Sequence, residues 1–226
     1  RFGADAIMHI LPSDHAVTTD TGYWQSVDIA AAAAGQERLV TFGITPTAPE
    51  TGYGYVEAGA ETSPGLRDVK RFVEKPDRKN AEAMLSAGGF YWNSGMFMLG
   101  VGDFLSECEA LSPDSFSAAR EAVANARTDL DFIRLDEAGF AKAPNISVDY
   151  AIFEKSSRVS LVPVAFAWSD LGSWHAVWKA SARDAAGNVS NGNATLSEST
   201  NSLVMSEKAH VVLDGVDDIA VIASED

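Results

Sequence analysis

The sequence predicts an α/β protein in which a central sheet carries helices on both faces. Short apolar runs of strand length recur along the chain, and amphipathic runs of helical period stand between them. Asp or Ser residues precede several of the helical runs, and Gly follows some of them. Near the C-terminus three short strands follow one another without a helix, which indicates the start of a small β-rich domain.

Each element follows from its local pattern. The run at 6–11 is apolar and stops at Pro12, as in a buried strand of a parallel sheet. Asp20 is placed to cap a helix that ends at Gly35, Asp77 precedes a helix, and 59–65 is predicted as a turn. The other predicted strands are 39–44, 53–58, 69–73, 96–99 and 159–164. The predicted helices are 21–34, 81–87, 101–111, 113–126, 148–154 and 174–182.

The composition changes after Arg183. Residues 184–200 contain many Asn, Ser and Gly residues and are predicted as a linker. The final strands are predicted at 203–205, 210–213 and 219–222. The sequence therefore predicts a main domain over 1–183, a linker over 184–200 and the start of a second domain over 201–226.

Charge and composition narrow the classes of partner. The chain has 226 residues and a net charge of −15, so it repels nucleic acid, although a local lysine or a bound cation permits a small anionic substrate. No apolar run approaches the length of a membrane span, and neither a membrane partner nor a signal peptide is expected. The single cysteine, Cys108, favours a reducing compartment such as the cytoplasm.

Two aspartates are candidate ligands of a divalent cation. Asp14 and Asp170 each follow a predicted strand, and ligands of open α/β sheets bind beyond the carboxyl ends of strands. Mg²⁺ takes one or two protein carboxylates together with phosphate oxygens. The alternative to metal binding is a structural role for each residue. Asp14 would then be a turn residue, which the local sequence alone favours, and Asp170 would cap a helix.

Four other positions carry polar groups suited to a sugar phosphate. Lys75 ends a strand and is a candidate phosphate ligand, while Glu74 is a candidate acceptor for hydroxyls. Because strand residues alternate, these two side chains are expected on opposite faces of the sheet. The alternative to ligand binding is a pair of charged side chains that are simply exposed to solvent. Asn93 and Ser94 offer donors and acceptors to a sugar, and Gly54 indicates a close approach of backbone to a ligand, or a bulge.

Taken together, these segments resemble the mannose-1-phosphate guanylyltransferase family of the sugar-nucleotidyltransferase superfamily. The resemblance covers nearly the whole chain. The resembling segments are LPSDH at 11–15, FGITPTAPETGYGYVEAG at 42–59, RFVEKPD at 71–77, YWNSGMF at 91–97, SVDYAIFEK at 147–155 and WSDLGSW at 168–174. FVEKP alone indicates the superfamily, whereas PETGYGY, WNSGMF and WSDLGSW together favour the mannose-1-phosphate guanylyltransferases within it.

The resemblance implies a role for each candidate residue. It implies that Asp14 and Asp170 bind Mg²⁺, and that Lys75 contacts the phosphate of the sugar phosphate. It places Glu74 and Asn93 on the mannose hydroxyls and the backbone of Gly54 close to the sugar. It also implies that Asp149 supports the site from behind. Lys75 and Asp170 are thereby the expected catalytic residues.

The same resemblance implies the fold and the reaction. The fold is a Rossmann-like sheet of the nucleotide-diphospho-sugar transferases, followed by the start of a β-helix-like domain. The reaction joins GTP and mannose 1-phosphate into GDP-mannose and pyrophosphate, and the oligomeric state stays open, a homo-oligomer included. The family's GGxGTRL phosphate loop would lie upstream of Arg1, so this chain alone is expected to be inactive.

Two other functions stay open on the sequence. One is a non-catalytic homologue that senses or regulates by binding a sugar nucleotide, although retention of Asp14, Lys75 and Asp170 argues against it. The other is a related hexose-1-phosphate nucleotidyltransferase with another base or sugar, because no residue here visibly reads the base.

Overall fold

The structure is a computed structural model that describes residues 3–224. The ends of the predicted domains, residues 1–2 and 225–226, lie outside the described residues. Contacts within the chain divide it into two compact units. The first comprises the chain up to Pro12 and Thr19–Phe166, and the second comprises Ser13–Thr18 and the chain from Ala167 onward.

The elements alternate as the sequence predicts. The strands are β1 Ile7–Ile10, β2 Ala16–Val17, β3 Leu39–Ile44, β4 Tyr55–Ser63, β5 Leu66–Val73, β6 Phe90–Gly100, β7 Arg127–Asp129, β8 Phe132–Arg134, β9 Val159–Val164, β10 Trp168–Ser169, β11 Val189–Asn191, β12 Ala194–Ser197, β13 Leu203–Ser206, β14 Val211–Asp214 and β15 Ala220–Ala223. The helices are α1 Thr21–Ala34, α2 Arg78–Ala87, α3 Val101–Leu111, α4 Pro113–Ala124, α5 Glu137–Phe140 and α6 Trp174–Ala180, and a π-helical turn occupies Asp149–Phe153.

Six described strands of the first unit form a mixed sheet in the order β1-β6-β3-β9-β5-β4, and β4 also pairs with the start of β6. Strands β7 and β8 of the same unit pair with each other in a separate antiparallel hairpin. Strand β6 runs antiparallel to β1, β3 and β4, while β3 and β9 are parallel. The prediction of a buried parallel strand at 6–11 is wrong, because β6 inserts between β1 and β3. Ile7 and Ile10 of β1 are accordingly exposed.

Helices cover both faces of this sheet, which confirms the predicted α/β class. On one face, Phe42 of β3 and Tyr23 of α1 both pack against the ring of His9. On the other face, Leu39 of β3 joins a core with Phe153 of the π-helical turn. Leu39 and Phe42 reach opposite faces because strand side chains alternate. No helix within residues 3–224 has both the length and the apolar character needed to cross a bilayer.

The predicted capping residues define the helix ends. The side chain of Asp20 accepts a hydrogen bond from the backbone of Tyr23 at 2.9 Å, and α1 ends at Gly35 as predicted. Asp77 accepts from the backbone of Asn80 at 2.8 Å. Because this cap starts the helix at once, α2 begins three residues before the predicted helix.

Two strands extend further than their apolar patterns. The predicted turn at 59–65 is shorter, because β4 continues to Ser63 and only Pro64 and Gly65 connect it to β5. Gly65 has a φ of +77°, a conformation that favours glycine. Strand β6 begins at Phe90 rather than at 96, so the polar triplet of Asn93, Ser94 and Gly95 lies within the sheet.

The second unit contains a parallel β coil. Strands β11, β13 and β15 pair in parallel, as do β12 and β14, which agrees with the predicted β-helix-like start. The prediction of a linker over 184–200 is wrong, since β11 and β12 lie within it. Asn and Ser side chains of this segment form hydrogen bonds with backbone groups in the turns between strands. The buried Asn188, for example, donates to the carbonyl of Ser199 and accepts from the backbone N–H of Ser202.

The unit boundary also differs from the predicted boundary after 183. Strand β10 pairs antiparallel with β2, so Trp168 lies opposite Val17 and Ser169 lies opposite Ala16. This small ladder joins the segment 13–18 to the β coil rather than to the large sheet. The unit therefore begins at Ala167, ahead of α6.

Candidate functional site

Five of the residues singled out in the sequence meet in the first unit. They are carried by the start of β4, the end of β5, the middle of β6 and the π-helical turn. We refer to them as the polar cluster, which comprises Gly54, Glu74, Lys75, Asn93 and Asp149.

Glu74 is the buried acid of the polar cluster. Its side chain is only 8% exposed. Its Oε2 has no hydrogen-bond partner among the described residues. Burial, reinforced by the nearby carboxylates of Asp149 and Glu154, raises the pKa of Glu74 to about 7, although Lys75 opposes the shift. A buried acceptor without a partner is the feature expected of a group that binds a ligand.

Lys75 supplies the positive charge. Its Nζ lies 3.8 Å from Oε1 of Glu74, and its side chain is 60% exposed. The expectation that these two side chains lie on opposite faces is wrong. Strand β5 ends at Val73, and Lys75 has a φ of +47°, so strand alternation no longer applies. The ammonium group is thus accessible to an anionic ligand while it stays beside a buried carboxylate.

Gly54 leaves space that any other residue would fill. A Cβ at this position would overlap Oε2 of Glu74 and lie 3.2 Å from Cβ of Asn93. The carbonyl of Gly54 also accepts a hydrogen bond of 2.8 Å from the backbone of Asn93. Glycine therefore lets the backbone pack closely against the two polar side chains, and a Cβ here would force the carboxylate of Glu74 to move.

Asn93 connects the sheet to the π-helical turn. It is 9% exposed, and its Oδ1 accepts a hydrogen bond of 2.8 Å from the hydroxyl of Thr41 on β3. Its Nδ2 donates to Oδ1 of Asp149 at 2.9 Å. Burial raises the pKa of Asp149, and the hydrogen bond from Asn93 partly opposes the rise.

Ser94 is placed differently from the other predicted ligands. It is 1% exposed, and its hydroxyl accepts a hydrogen bond of 3.2 Å from the backbone of Met96 in its own strand. Its hydroxyl keeps one O–H donor and one acceptor lone pair for other partners.

The π-helical turn also holds the backbone that carries Glu74. Oε1 of Glu154 accepts from the backbone N–H of Glu74 at 2.8 Å, and the hydroxyl of Tyr150 donates to its carbonyl at 3.3 Å. One short element thereby contacts Asn93 through Asp149 and Glu74 through its backbone. π-Helical turns are frequent at functional sites.

The sequence did not identify Thr41, Tyr150 or Glu154. Thr41 had one signal, since it is the sole polar residue in the run LVTFGI, and a fully buried hydroxyl requires a partner. Tyr150 and Glu154 lie in the segment SVDYAIFEK at 147–155, but both are exposed, and nothing in that segment indicates that they bind the backbone of Glu74.

The two aspartates predicted to bind a metal lie in the second unit. Asp14 precedes β2 by one residue, and Asp170 follows Ser169, which is paired with Ala16. This antiparallel register brings their backbones to one end of the ladder. A Cβ on Gly172 would lie 2.5 Å from Oδ2 of Asp170, so any side chain there would force that carboxylate to move.

The donor chemistry at this ladder fits a hard divalent cation. Two carboxylates are the protein contribution that Mg²⁺ typically takes when phosphate oxygens and water complete its shell. Within residues 3–224 no three His, Cys, Asp or Glu residues are grouped as a metal cluster. The arrangement thus suits a cation that arrives with a phosphorylated substrate, rather than a closed all-protein metal site.

Comparisons with known proteins identify the family of the chain. The nucleotidyl transferase family profile matches residues 2–187. The chain is 50% identical over 226 residues to a mannose-1-phosphate guanylyltransferase of Sinorhizobium fredii, covering all of this chain and 44% of that protein. It is 40% identical over 228 residues to the mannose-1-phosphate guanylyltransferase of Escherichia coli K12, covering 99% of this chain and 48% of that protein. The chain thus spans less than half the length of these relatives.

A solved structure shares the fold as well. The crystal structure of mannose-1-phosphate geranyltransferase from Thermus thermophilus matches with a TM-score of 0.84 and 28% identity. The match covers 97% of this chain and 63% of that chain. It confirms the predicted nucleotide-diphospho-sugar transferase fold. Nucleotidyl transferases generally use a divalent metal ion.

Proposed function

The chain belongs to the nucleotidyl transferase family, and we propose that the protein makes GDP-mannose and pyrophosphate from GTP and mannose 1-phosphate. The observation that carries the proposal is the polar cluster. In it a buried carboxyl with one unpartnered oxygen, an amide held in one orientation and an accessible ammonium group converge. Such a set suits a ligand that has hydroxyl groups at one end and a phosphate at the other. The relatives named mannose-1-phosphate guanylyltransferase support the choice of sugar and base.

Each residue of the polar cluster has a proposed contact. Lys75 binds the phosphate of mannose 1-phosphate, which its exposed ammonium can reach. Glu74 and Asn93 bind mannose hydroxyls, and the backbone of Gly54 approaches the sugar closely. Ser94 contributes its remaining O–H donor. Asp149 supports Asn93 from behind.

The reaction is a displacement at phosphorus. A phosphate oxygen of mannose 1-phosphate forms a bond to the α-phosphorus of GTP, while the bond from that phosphorus to the bridging oxygen breaks and pyrophosphate leaves. Two anions must approach one another, so Lys75 assists by reducing their repulsion and by fixing the attacking phosphate. No covalent nucleophile is required.

We propose that Asp14 and Asp170 hold a divalent cation, namely Mg²⁺. When bound, Mg²⁺ neutralises phosphate charge and stabilises the charge that develops during transfer. The single cysteine supports a reducing compartment, so the cytoplasm is the proposed location.

The test uses the full-length protein. Purified protein is incubated with Mg²⁺, a nucleoside triphosphate and a hexose 1-phosphate, and the products are separated by chromatography. GDP-mannose and pyrophosphate in equal amounts are expected from GTP and mannose 1-phosphate, with far less product from UTP, dTTP or glucose 1-phosphate. Preference for another base or sugar would overturn the substrate assignment, and no product from any pair would overturn the enzymatic proposal.

A lysine pair tests the site itself. We expect Lys75→Ala to raise the KM for mannose 1-phosphate by about tenfold or more, as for loss of a charge-assisted contact, with little change in the KM for GTP. Lys79→Ala is the matched control, since Lys79 is exposed on α2. Equal effects of Lys75→Ala on both substrates would argue against its proposed role.

A further inference from the structure

Three partners hold the side-chain amide of Asn93 in one orientation. The hydroxyl of Thr41 donates to its Oδ1 at 2.8 Å, and the backbone N–H of Gly95 donates to the same oxygen at 3.3 Å. Its Nδ2 donates to Oδ1 of Asp149 at 2.9 Å. Because a backbone N–H only donates and a carboxylate only accepts, Gly95 and Asp149 together determine which end of the amide is oxygen.

The hydrogen-bonding capacity of this amide is nearly used up. An amide oxygen has two lone pairs, and Thr41 and Gly95 occupy both. The amide nitrogen has two hydrogens, and Asp149 takes one. What remains to Asn93 is a single N–H.

Burial makes this orientation costly to reverse. Thr41 is fully buried, and Asn93 is 9% exposed. A rotated amide would set N–H against the N–H of Gly95 and oxygen against the carboxylate of Asp149. Unpaired or opposed polar groups are most unfavourable away from water, so the three partners strongly favour one state.

We propose that Thr41 is a positioning residue of the sugar phosphate site, and that Thr41, Gly95 and Asp149 together leave Asn93 to act toward the ligand only as a hydrogen-bond donor. The inference rests on the proposed function, because it takes a sugar phosphate as the ligand of the polar cluster. Oε2 of Glu74 is the neighbouring acceptor without a partner. A sugar hydroxyl donates and accepts at once, so it complements this pair, its oxygen toward Asn93 and its hydrogen toward an ionised Glu74.

The first experiment compares Thr41→Val with Thr41→Ser in the full-length protein. Valine keeps the shape and removes the hydroxyl, whereas serine keeps the hydroxyl and removes a methyl group. We expect Thr41→Val to raise the KM for mannose 1-phosphate by about tenfold without changing the KM for GTP, because the buried amide oxygen of Asn93 loses the shorter of its two hydrogen bonds. Thr41→Ser should stay within about twofold of the wild type, since the donor remains.

Two outcomes would overturn the positioning role. One is an unchanged KM for the sugar phosphate in Thr41→Val, and the other is an equal effect of both substitutions. Val40→Ala is the control for lost packing in the same strand, because Val40 is fully buried and points to the opposite face. It should lower the melting temperature without a selective change in the sugar phosphate KM.

The donor role has its own pair of variants. Asn93→Asp keeps two acceptor oxygens and has no donor while ionised, whereas Asn93→Ala removes the group. If Asn93 only donates, Asn93→Asp should be at least as impaired as Asn93→Ala in the KM for the sugar phosphate. Asn93→Asp with a KM near the wild-type value would overturn the donor role.

A spectroscopic measurement separates this inference from the proposed function. In protein labelled with ¹⁵N at asparagine, the Nδ2 proton of Asn93 that Asp149 binds should exchange more slowly than the other. Thr41→Val should reduce this difference, because the amide loses one of the three partners that hold it, while Thr41→Ser should keep it. An unchanged difference in Thr41→Val would overturn the inference. If the wild-type protein uses another sugar phosphate, the proposed substrate is wrong, and the KM values of the Thr41 variants are compared on that compound instead. If it uses no sugar phosphate, the proposed function is wrong, and the proton-exchange measurement alone tests whether Thr41 positions Asn93.

Discussion

The carboxylate of Glu154 accepts a hydrogen bond from the backbone N–H of Glu74 at 2.8 Å, although the two residues are 80 positions apart in the chain. The peptide unit held in this way joins Val73 to Glu74, one residue before Lys75, which has a φ of +47°. Such a conformation is unfavourable for a residue other than glycine and persists where its surroundings enforce it. Glu154 is therefore placed to stabilise the turn that presents both the buried acid and the exposed lysine.

Replacing Glu154 tests this support. We expect Glu154→Ala to raise the KM for mannose 1-phosphate about three- to tenfold, the effect of one lost hydrogen bond to a charged but exposed acceptor. Glu154→Gln should retain most of the affinity, because its amide oxygen still accepts. Steady-state kinetics of both variants, with Glu109→Ala on the exposed side of α3 as control, give the comparison. Equal losses in the Ala and Gln variants would contradict a hydrogen-bonding role.

Gly54→Ala should damage the site through space alone. The new Cβ would overlap the carboxylate of Glu74 and press on Asn93. A displacement of about 1 Å at a binding group can reduce turnover about 100-fold, and crowding of this kind costs about 1–3 kcal/mol of stability. Gly52→Ala is a matched control two residues away, because a Cβ at Gly52 meets nothing within 4 Å.

Kinetics and thermal melting of the two alanine variants are compared in the full-length protein. We expect kcat/KM for mannose 1-phosphate to fall strongly in Gly54→Ala and to stay near the wild-type value in Gly52→Ala. Similar kcat/KM values for both variants would show that Glu74 and Asn93 tolerate displacement.

Local signals account for the parts of the fold that the sequence predicted. Helix α1 was predicted from the cap at Asp20 and the stop at Gly35, both of which act over a few residues. The start of β6 was not predicted, because Asn93, Ser94 and Gly95 interrupt its apolar pattern. These residues are stable in the sheet only through partners such as Thr41, which is 52 positions away. Similarly, 184–200 has the composition of a linker but satisfies its polar groups within the β coil.

The same distinction applies to the polar cluster. Glu74, Lys75 and Asn93 stand in recognisable motifs, so the sequence identified them, yet it misjudged how Glu74 and Lys75 are oriented. The positive φ of Lys75 is stabilised by contacts from the π-helical turn, which is remote in sequence. Thr41 and Glu154 lie outside the residues singled out, because each acts through a partner rather than through its own motif.

Glu74 should make stability depend on pH. Its pKa is about 7 in the folded protein against an ordinary value of 4.5, so the folded state holds this proton more tightly than the unfolded chain does. Stability contributed by the protonated acid is therefore lost as pH rises from about 4.5 through about 7. Glu74→Gln, which stays neutral, should raise the melting temperature by several degrees at pH 8 and change it little at pH 4.5.

Thermal melting at the two pH values checks this expectation. Glu109→Gln is the control, since Glu109 is exposed on α3 and its variant should not show the same pH dependence. A change of equal size at pH 4.5 and pH 8 would mean that burial of Glu74 does not raise its pKa.

The aspartates of the second unit should act as a pair toward Mg²⁺. Asp170→Asn and Asp14→Asn each preserve shape while removing one negative charge, so we expect the fold to remain and Mg²⁺-dependent turnover to fall about 100-fold or more. The double variant should lose little beyond either single one, because both carboxylates serve the same cation. Turnover is measured across Mg²⁺ concentrations, and the rise in melting temperature on adding Mg²⁺ with GTP gives a readout independent of activity. Asp28→Asn, an exposed position on α1, should leave both measurements unchanged. If the effects of the two single variants simply add in the double variant, Asp14 and Asp170 bind separate partners rather than one cation.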